Sequence, residues 1–182
     1  MQRSQRLGPE HSKHPYTPGS PGDVAAMIGS NNAGVIAPPP LLYAAALGVG
    51  LATDFLLYRV QTGLPAAVRF GLAILLGVAG IGLNAAAFLQ VLEAGTRPEP
   101  WRPTTAIVTD GVYASTRNPM YLAMALFYLA LAIAADSGVA VILLVPLLFV
   151  VQYGVVMREE RYLEAKFGAD YMRYKQAVRR WL

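Results

Sequence analysis

Four long apolar blocks, nearly free of charge, alternate with short polar segments between Ile36 and Met157. A bilayer core about 30 Å thick takes about 20 residues at a rise of about 1.5 Å each, so these blocks predict membrane-crossing helices. The expected fold is all-α: a polytopic integral membrane helical bundle of about four spans, near residues 36–58, 70–92, 120–135 and 138–157. The last two are joined only by Ala135-Asp136-Ser137-Gly138 and should form a helical hairpin. After Met157 the pattern turns polar and amphipathic, which predicts short C-terminal helices with a break at Gly168. Residues 1–33 have no helical or strand period and are rich in Pro, Gly, Ser and charge, so they are expected to be a disordered polar head. No apolar core follows their basic residues closely, as a secretory signal would require.

Within the blocks, individual residues sharpen the picture. Pro38, Pro39 and Pro40 suit a helix start, where a missing N–H costs little. Ala73, Gly77, Gly80, Asn84 and Ala87 share one face of the second span and would let another helix approach closely. Gly77, Gly80 and Gly82 resemble a dinucleotide loop only superficially, since they sit mid-span with no strand before them. Asp54 lies near the far end of the first span, within reach of water or a partner helix. Pro146 is expected to kink the fourth. The chain thus divides into a head (1–33) and a membrane domain (34–182) with a loop at 93–119 and a tail at 158–182.

Composition and charge narrow the function classes. Of 182 residues, 55% are hydrophobic, well above a soluble domain of this length. Cysteine is absent and both histidines, His11 and His14, lie in the head, which leaves the body without thiolate or imidazole metal ligands. With four spans, the head, the loop and the tail share one side and hold all the basic residues except Arg59 and Arg69. That 13-to-2 split places both termini in the cytoplasm, as expected for a bacterial inner-membrane protein. The net charge of +4 then suits anionic headgroups rather than nucleic acid.

Three polar segments converge on that side. The loop runs through Trp101, Thr105-Ala106-Ile107-Val108 and Asp110-Gly111-Val112-Tyr113, and Arg117-Asn118-Pro119-Met120-Tyr121 opens the third span. The fourth span leaves through Arg158-Glu159-Glu160-Arg161. A hairpin sets the start of one helix beside the end of the other, so Arg117, Asn118 and Tyr121 should lie near Glu159 and Glu160. Aromatic faces and a carboxylate suit a cation, and arginine or backbone amides suit an anion, so the cradle fits a zwitterionic ligand. Taken singly, Arg117 and Arg158 also suit headgroup contacts, and Tyr113, Trp101, Tyr121 and Trp181 suit interface anchoring.

The run from Ala94-Gly95-Thr96 through Thr105–Tyr113 and Arg117–Tyr121, followed by Glu159-Glu160 and Phe167-Gly168-Ala169-Asp170-Tyr171-Met172-Arg173-Tyr174, resembles the isoprenylcysteine carboxyl methyltransferase family. That family is grouped with membrane phospholipid methyltransferases. The resemblance implies a multi-span methyltransferase using S-adenosylmethionine on a lipophilic acceptor, small molecule or lipid, with no metal. It implies that Thr105, Ala106, Ile107, Val108, Tyr113, Asn118, Pro119, Met120, Tyr121 and Glu159 bind the cofactor. Arg117, Asn118, Arg158 and Glu160 are the candidate catalytic groups. Two positions depart from the family pattern. Asn118 stands where His is commonest, which removes a titrating imidazole but keeps a donor and an acceptor. Val155 stands where members acting on prenylcysteine carry a substrate-binding Arg, leaving Arg158 nearest and a prenylated protein disfavoured as substrate.

A carboxylate acceptor would need no base, whereas an amine would pass a proton to Glu159 or Glu160. Two rival readings are a nicotinamide-dependent membrane reductase of related architecture and a non-enzymatic four-span transporter or structural subunit. The first lacks an added basic cluster for a 2′-phosphate, and the second would have to work through Asp54.

Overall fold

The computed structural model describes residues 33–99, 102 and 104–182; the expected disordered head, apart from Ala33, and Trp101 lie outside them. It is an all-helical membrane bundle. The elements are α1 (Pro39–Leu56), α2 (Ala66–Glu93), a single 3-10 turn (Gly111–Ala114), α3 (Pro119–Ala134) and α4 (Gly138–Val151). A π-helical segment, Gln152–Val156, follows α4 and leads into α5 (Met157–Phe167), then α6 (Ala169–Ala177). Three of these stretches are long and apolar enough to cross a membrane: α1, α2 and the continuous helix Gly138–Phe167. The fourth apolar helix, α3, has only 16 residues.

Local sequence explains the boundaries. Proline fills the first positions of α1 and α3, where the absent N–H would have had no partner anyway. Ser137 caps α4 by accepting the Ala140 N–H at 3.1 Å. Gly168, at φ +53, ends α5 and starts α6, as its place in the sequence suggested.

Helix α3 is the centre of the bundle, with α2 on one side and α1 and α4 on the other. Tyr121, Ala125, Tyr128 and Ala132 face the core shared with Tyr43 of α1 and Leu147 and Val151 of α4. On its other flank α3 meets the small-residue stripe of α2. A Cβ on Gly80 would lie 3.0 Å from the Ala123 carbonyl oxygen and 3.1 Å from the Phe127 nitrogen. The two backbones therefore touch there, the close approach that small residues permit. Outward, Ile74, Val78, Ile81, Ile142, Val145 and Phe149 are exposed, an apolar girdle suited to lipid.

The end of the bundle away from the C-terminal tail is stitched by polar groups. Asp54 receives hydrogen bonds from the Ser137 hydroxyl and from the backbone N–H groups of Val60 (2.8 Å) and Val139 (3.3 Å). Asp136, at φ +57 in the hairpin turn, pairs with Arg69 at 2.9 Å and accepts from the Thr62 hydroxyl at 2.5 Å. Asp54 thus fastens the hairpin to α1.

Helix α4 carries Pro146 in its interior and runs from Gly138 to Val151, where the π segment takes over. There Ile36 packs over Gly154, and its N–H donates to the Gly154 carbonyl at 3.3 Å. A π turn absorbs one extra residue and so rotates the helix beyond it by roughly 100°. That rotation changes which of the following charged residues face inward.

Candidate functional site

A cavity of about 340 Å³ lies where the loop, the start of α3 and α5–α6 meet. Each wall is fixed by local chemistry. Gly95, at φ +68, turns the chain out of α2, and Thr96 then receives the Thr105 N–H at 2.8 Å. The Thr105 hydroxyl donates to the Gly95 carbonyl at 3.0 Å, so the loop is laced to the end of α2. Further on, Gln90 accepts the Val112 N–H at 3.2 Å and holds the 3-10 turn that presents Tyr113. Tyr174 of α6 donates to the Tyr113 carbonyl at 2.7 Å and packs edge-on against Tyr171.

The start of α3 and the region of Glu159 and Glu160 meet, although about forty positions separate them. Tyr121 donates its hydroxyl to Glu159 at 2.8 Å, and that carboxylate lines the cavity. Glu160 is buried and turns the other way. Arg180 grips it with Nε at 2.9 Å and Nη2 at 2.8 Å, and Arg117 Nη1 reaches it at 3.0 Å. The backbone of the same tail segment completes the clasp. The Arg180 carbonyl accepts from Asn118 Nδ2 at 2.9 Å and from the Thr116 hydroxyl at 3.2 Å, and the Arg179 carbonyl accepts the Arg117 N–H at 3.0 Å. Trp181 donates to Gln152 of the π segment at 2.9 Å, so the tail ties the two halves of the site together.

Burial pushes the Tyr113 phenol well above its ordinary pKa, and the nearby Glu159 charge adds to the rise. Tyr171 and Tyr174 are raised as well, again chiefly by burial. At neutral pH all three are protonated phenols, able to donate a hydrogen bond or present a ring face but not to act as bases.

The structure separates the sequence candidates into three groups. Ala106, Ile107, Val108 and Tyr113 line the cavity from the loop side, and Asn118, Pro119, Met120, Tyr121 and Glu159 from the helix side. Arg117 also borders it, while its guanidinium serves Glu160. Thr105 is spent on lacing the loop, Glu160 lies behind the wall, and Arg158 is exposed and donates outward to the Gly34 carbonyl at 2.9 Å. Sequence reasoning missed Arg180 as the partner of Glu160 and missed Tyr171, Tyr174 and Asn84 as wall residues. Spacing offered a signal only for the tyrosines, which stand one turn apart on α6 and share a face.

The family model for phospholipid methyltransferases matches residues 68–170, which run from the first turn of α2 through the loop and the hairpin to the end of α5 and the start of α6. A protein of Haemophilus influenzae described only as uncharacterized is 43% identical over 63 residues, covering 35% of this chain and all of that protein. No solved structure matches the chain.

Proposed function

We infer, from the premise that the chain belongs to the phospholipid methyltransferase family, that its cavity binds S-adenosylmethionine beside a lipophilic methyl acceptor. The observation that carries this reading is the carboxylate of Glu159, held by Tyr121 on the wall of a cavity that Tyr113, Tyr171 and Tyr174 also line. A carboxylate among aromatic faces suits a positively charged centre. Arg97 on the same wall and the laced loop beside it suit the negative end of the same ligand. The residue set therefore fits a zwitterionic sulfonium.

When bound, S-adenosylmethionine supplies an electrophilic methyl group. The protein's part is to align the partners and exclude water, and such positioning can lower a barrier by about 7–11 kcal/mol. Ala106, Ile107 and Val108 provide the apolar wall, while Asn118 and Pro119, fixed by the Arg180 clasp, hold the start of α3 in place. An acceptor carboxylate reacts as it stands. An acceptor amine must first lose a proton, and Glu159 is the glutamate on the cavity wall beside the start of α3. Glu160, saturated by two guanidinium groups, acts instead by positioning. The side bearing the basic loop and tail is taken as cytoplasmic, so that a water-soluble cofactor reaches the cavity from the cytosol and the acceptor from the bilayer.

Calorimetry with purified protein tests the reading. Wild type should bind S-adenosylmethionine, and Glu159→Ala should bind at least about tenfold more weakly, the effect of losing a charge-assisted contact. Equal affinities would remove the proposed site. Supplying methyl-labelled cofactor to membranes containing the protein and identifying the labelled extract then defines the acceptor.

A further inference from the structure

Asn84 is the one polar residue that α2 contributes to the wall of the same cavity. It stands nine residues before α2 ends at Glu93, hence roughly 13 Å along the helix at about 1.5 Å per residue. Phe88, Val91 and Met124 are its companions on the wall, so its surroundings are apolar. One turn beyond, the backbones of α2 and α3 touch at Gly80 and close the space. Asn84 therefore marks the floor.

Its Oδ1 is buried and has no hydrogen-bond partner. The other side-chain amide of α2, Gln90, is matched to the Val112 N–H. A buried acceptor left unmatched in apolar surroundings is costly, and the cavity is where a partner can arrive. We propose that Asn84 selects the lipophilic ligand by accepting a hydrogen bond from an O–H or N–H carried within its otherwise apolar part. The site then prefers an amphiphile bearing such a donor to one of the same length and shape that has acceptors only. This rests on the reading that a lipophilic acceptor occupies the cavity, and it adds the chemical class of that acceptor.

The test uses the full chain in lipid nanodiscs and two photoreactive probes, a diazirine-bearing long-chain alcohol and its methyl ether. The pair differs in one donor. Mass spectrometry then reads labelling of the peptides that contain Phe88 and Met124. Wild type should be labelled by the alcohol about two- to tenfold more than by the ether, the range of one net hydrogen bond. Asn84→Leu should label equally with both, at a level that excess unlabelled ether still competes away. Equal labelling of wild type, absence of cavity labelling by both probes, or a preference that survives in Asn84→Leu would each overturn the proposal. The wild-type comparison stands even where the variant does not fold. No cofactor takes part, so the calorimetry above reports on the methyltransferase reading separately.

Discussion

Arg180 holds Glu160 by a two-pronged guanidinium fork, with contacts of 2.9 and 2.8 Å, and the pair sits behind the cavity wall rather than in it. Arg117 completes a buried triad in which Glu160 and Arg117 retain only 6% and 8% side-chain exposure. Removing the carboxylate strands a buried guanidinium, a loss of about 3–5 kcal/mol in comparable sites. Removing Arg180, which is one-third exposed, leaves Arg117 in place and should cost less, about 1.5–3 kcal/mol. Thermal melting in detergent should therefore rank Glu160→Leu below Arg180→Met, with Arg180→Lys nearest to wild type. Lysine keeps the charge but cannot form the fork. Indistinguishable melting of Glu160→Leu and wild type would exclude the triad as a structural tie.

The helices were legible in the sequence because each is a run of apolar residues bounded by Pro, Gly, Asp or Ser. The meeting of Tyr121 with Glu159 was legible too, since a four-residue hairpin turn leaves the two helix ends no other place. What the sequence hid was the phase of the last helix. Arg158, Glu159 and Glu160 are consecutive, and which of them faces the cavity depends on the π segment just before them, which carries no pattern of its own. The return of Arg180 was hidden for a different reason. It joins positions 20 and more apart through side chain and backbone alike, and no local periodicity encodes such a contact.

The α2–α3 crossing predicts opposite outcomes for two glycines on one face. A Cβ on Gly80 meets backbone atoms of α3 at 3.0 and 3.1 Å, and backbone cannot step aside as a side-chain tip can. Gly80→Ala should destabilise by about 1–3 kcal/mol through overpacking. At Gly77 the nearest atom is the Ala130 methyl carbon at 3.8 Å, an ordinary contact. Gly77→Ala should be neutral or stabilise by roughly 0.5–1 kcal/mol, because alanine loses less freedom in a helix. Melting temperatures of the two variants in the same detergent decide this, and equal shifts would contradict the crossing geometry.

At the opposite end of the bundle, the hydroxyl of Thr62 leads the groups that hold the Asp136 carboxyl below its ordinary pKa, with Arg69 adding its charge. A depressed carboxyl stabilises the fold above its unfolded pKa, about 3.9, and that contribution is lost as pH falls through the lower folded value. Asp136→Asn keeps the side-chain acceptor and tolerates the positive φ, but gives up the ion pair. The variant should melt below wild type at pH 7, and the gap should narrow as pH drops below about 4. A gap that is constant across that range would mean the charge contributes nothing.

Tyr121 and Glu159 are coupled by one hydrogen bond that orients the carboxylate toward the cavity. Tyr121→Phe removes the hydroxyl and little else, because the ring stays buried in the core beside Tyr43 and Tyr128. If Glu159 is the anionic contact for the cofactor, a freer carboxylate can still reach its ligand but loses its pre-set orientation. Affinity for S-adenosylmethionine should then fall by about three- to tenfold, less than for Glu159→Ala. In the double variant the two effects should not add, since the hydroxyl acts only through the carboxylate. Calorimetry on the four proteins closes the cycle. Additive losses would show that Tyr121 meets the ligand directly, and an unchanged affinity in Tyr121→Phe would show that the orientation of Glu159 does not govern binding.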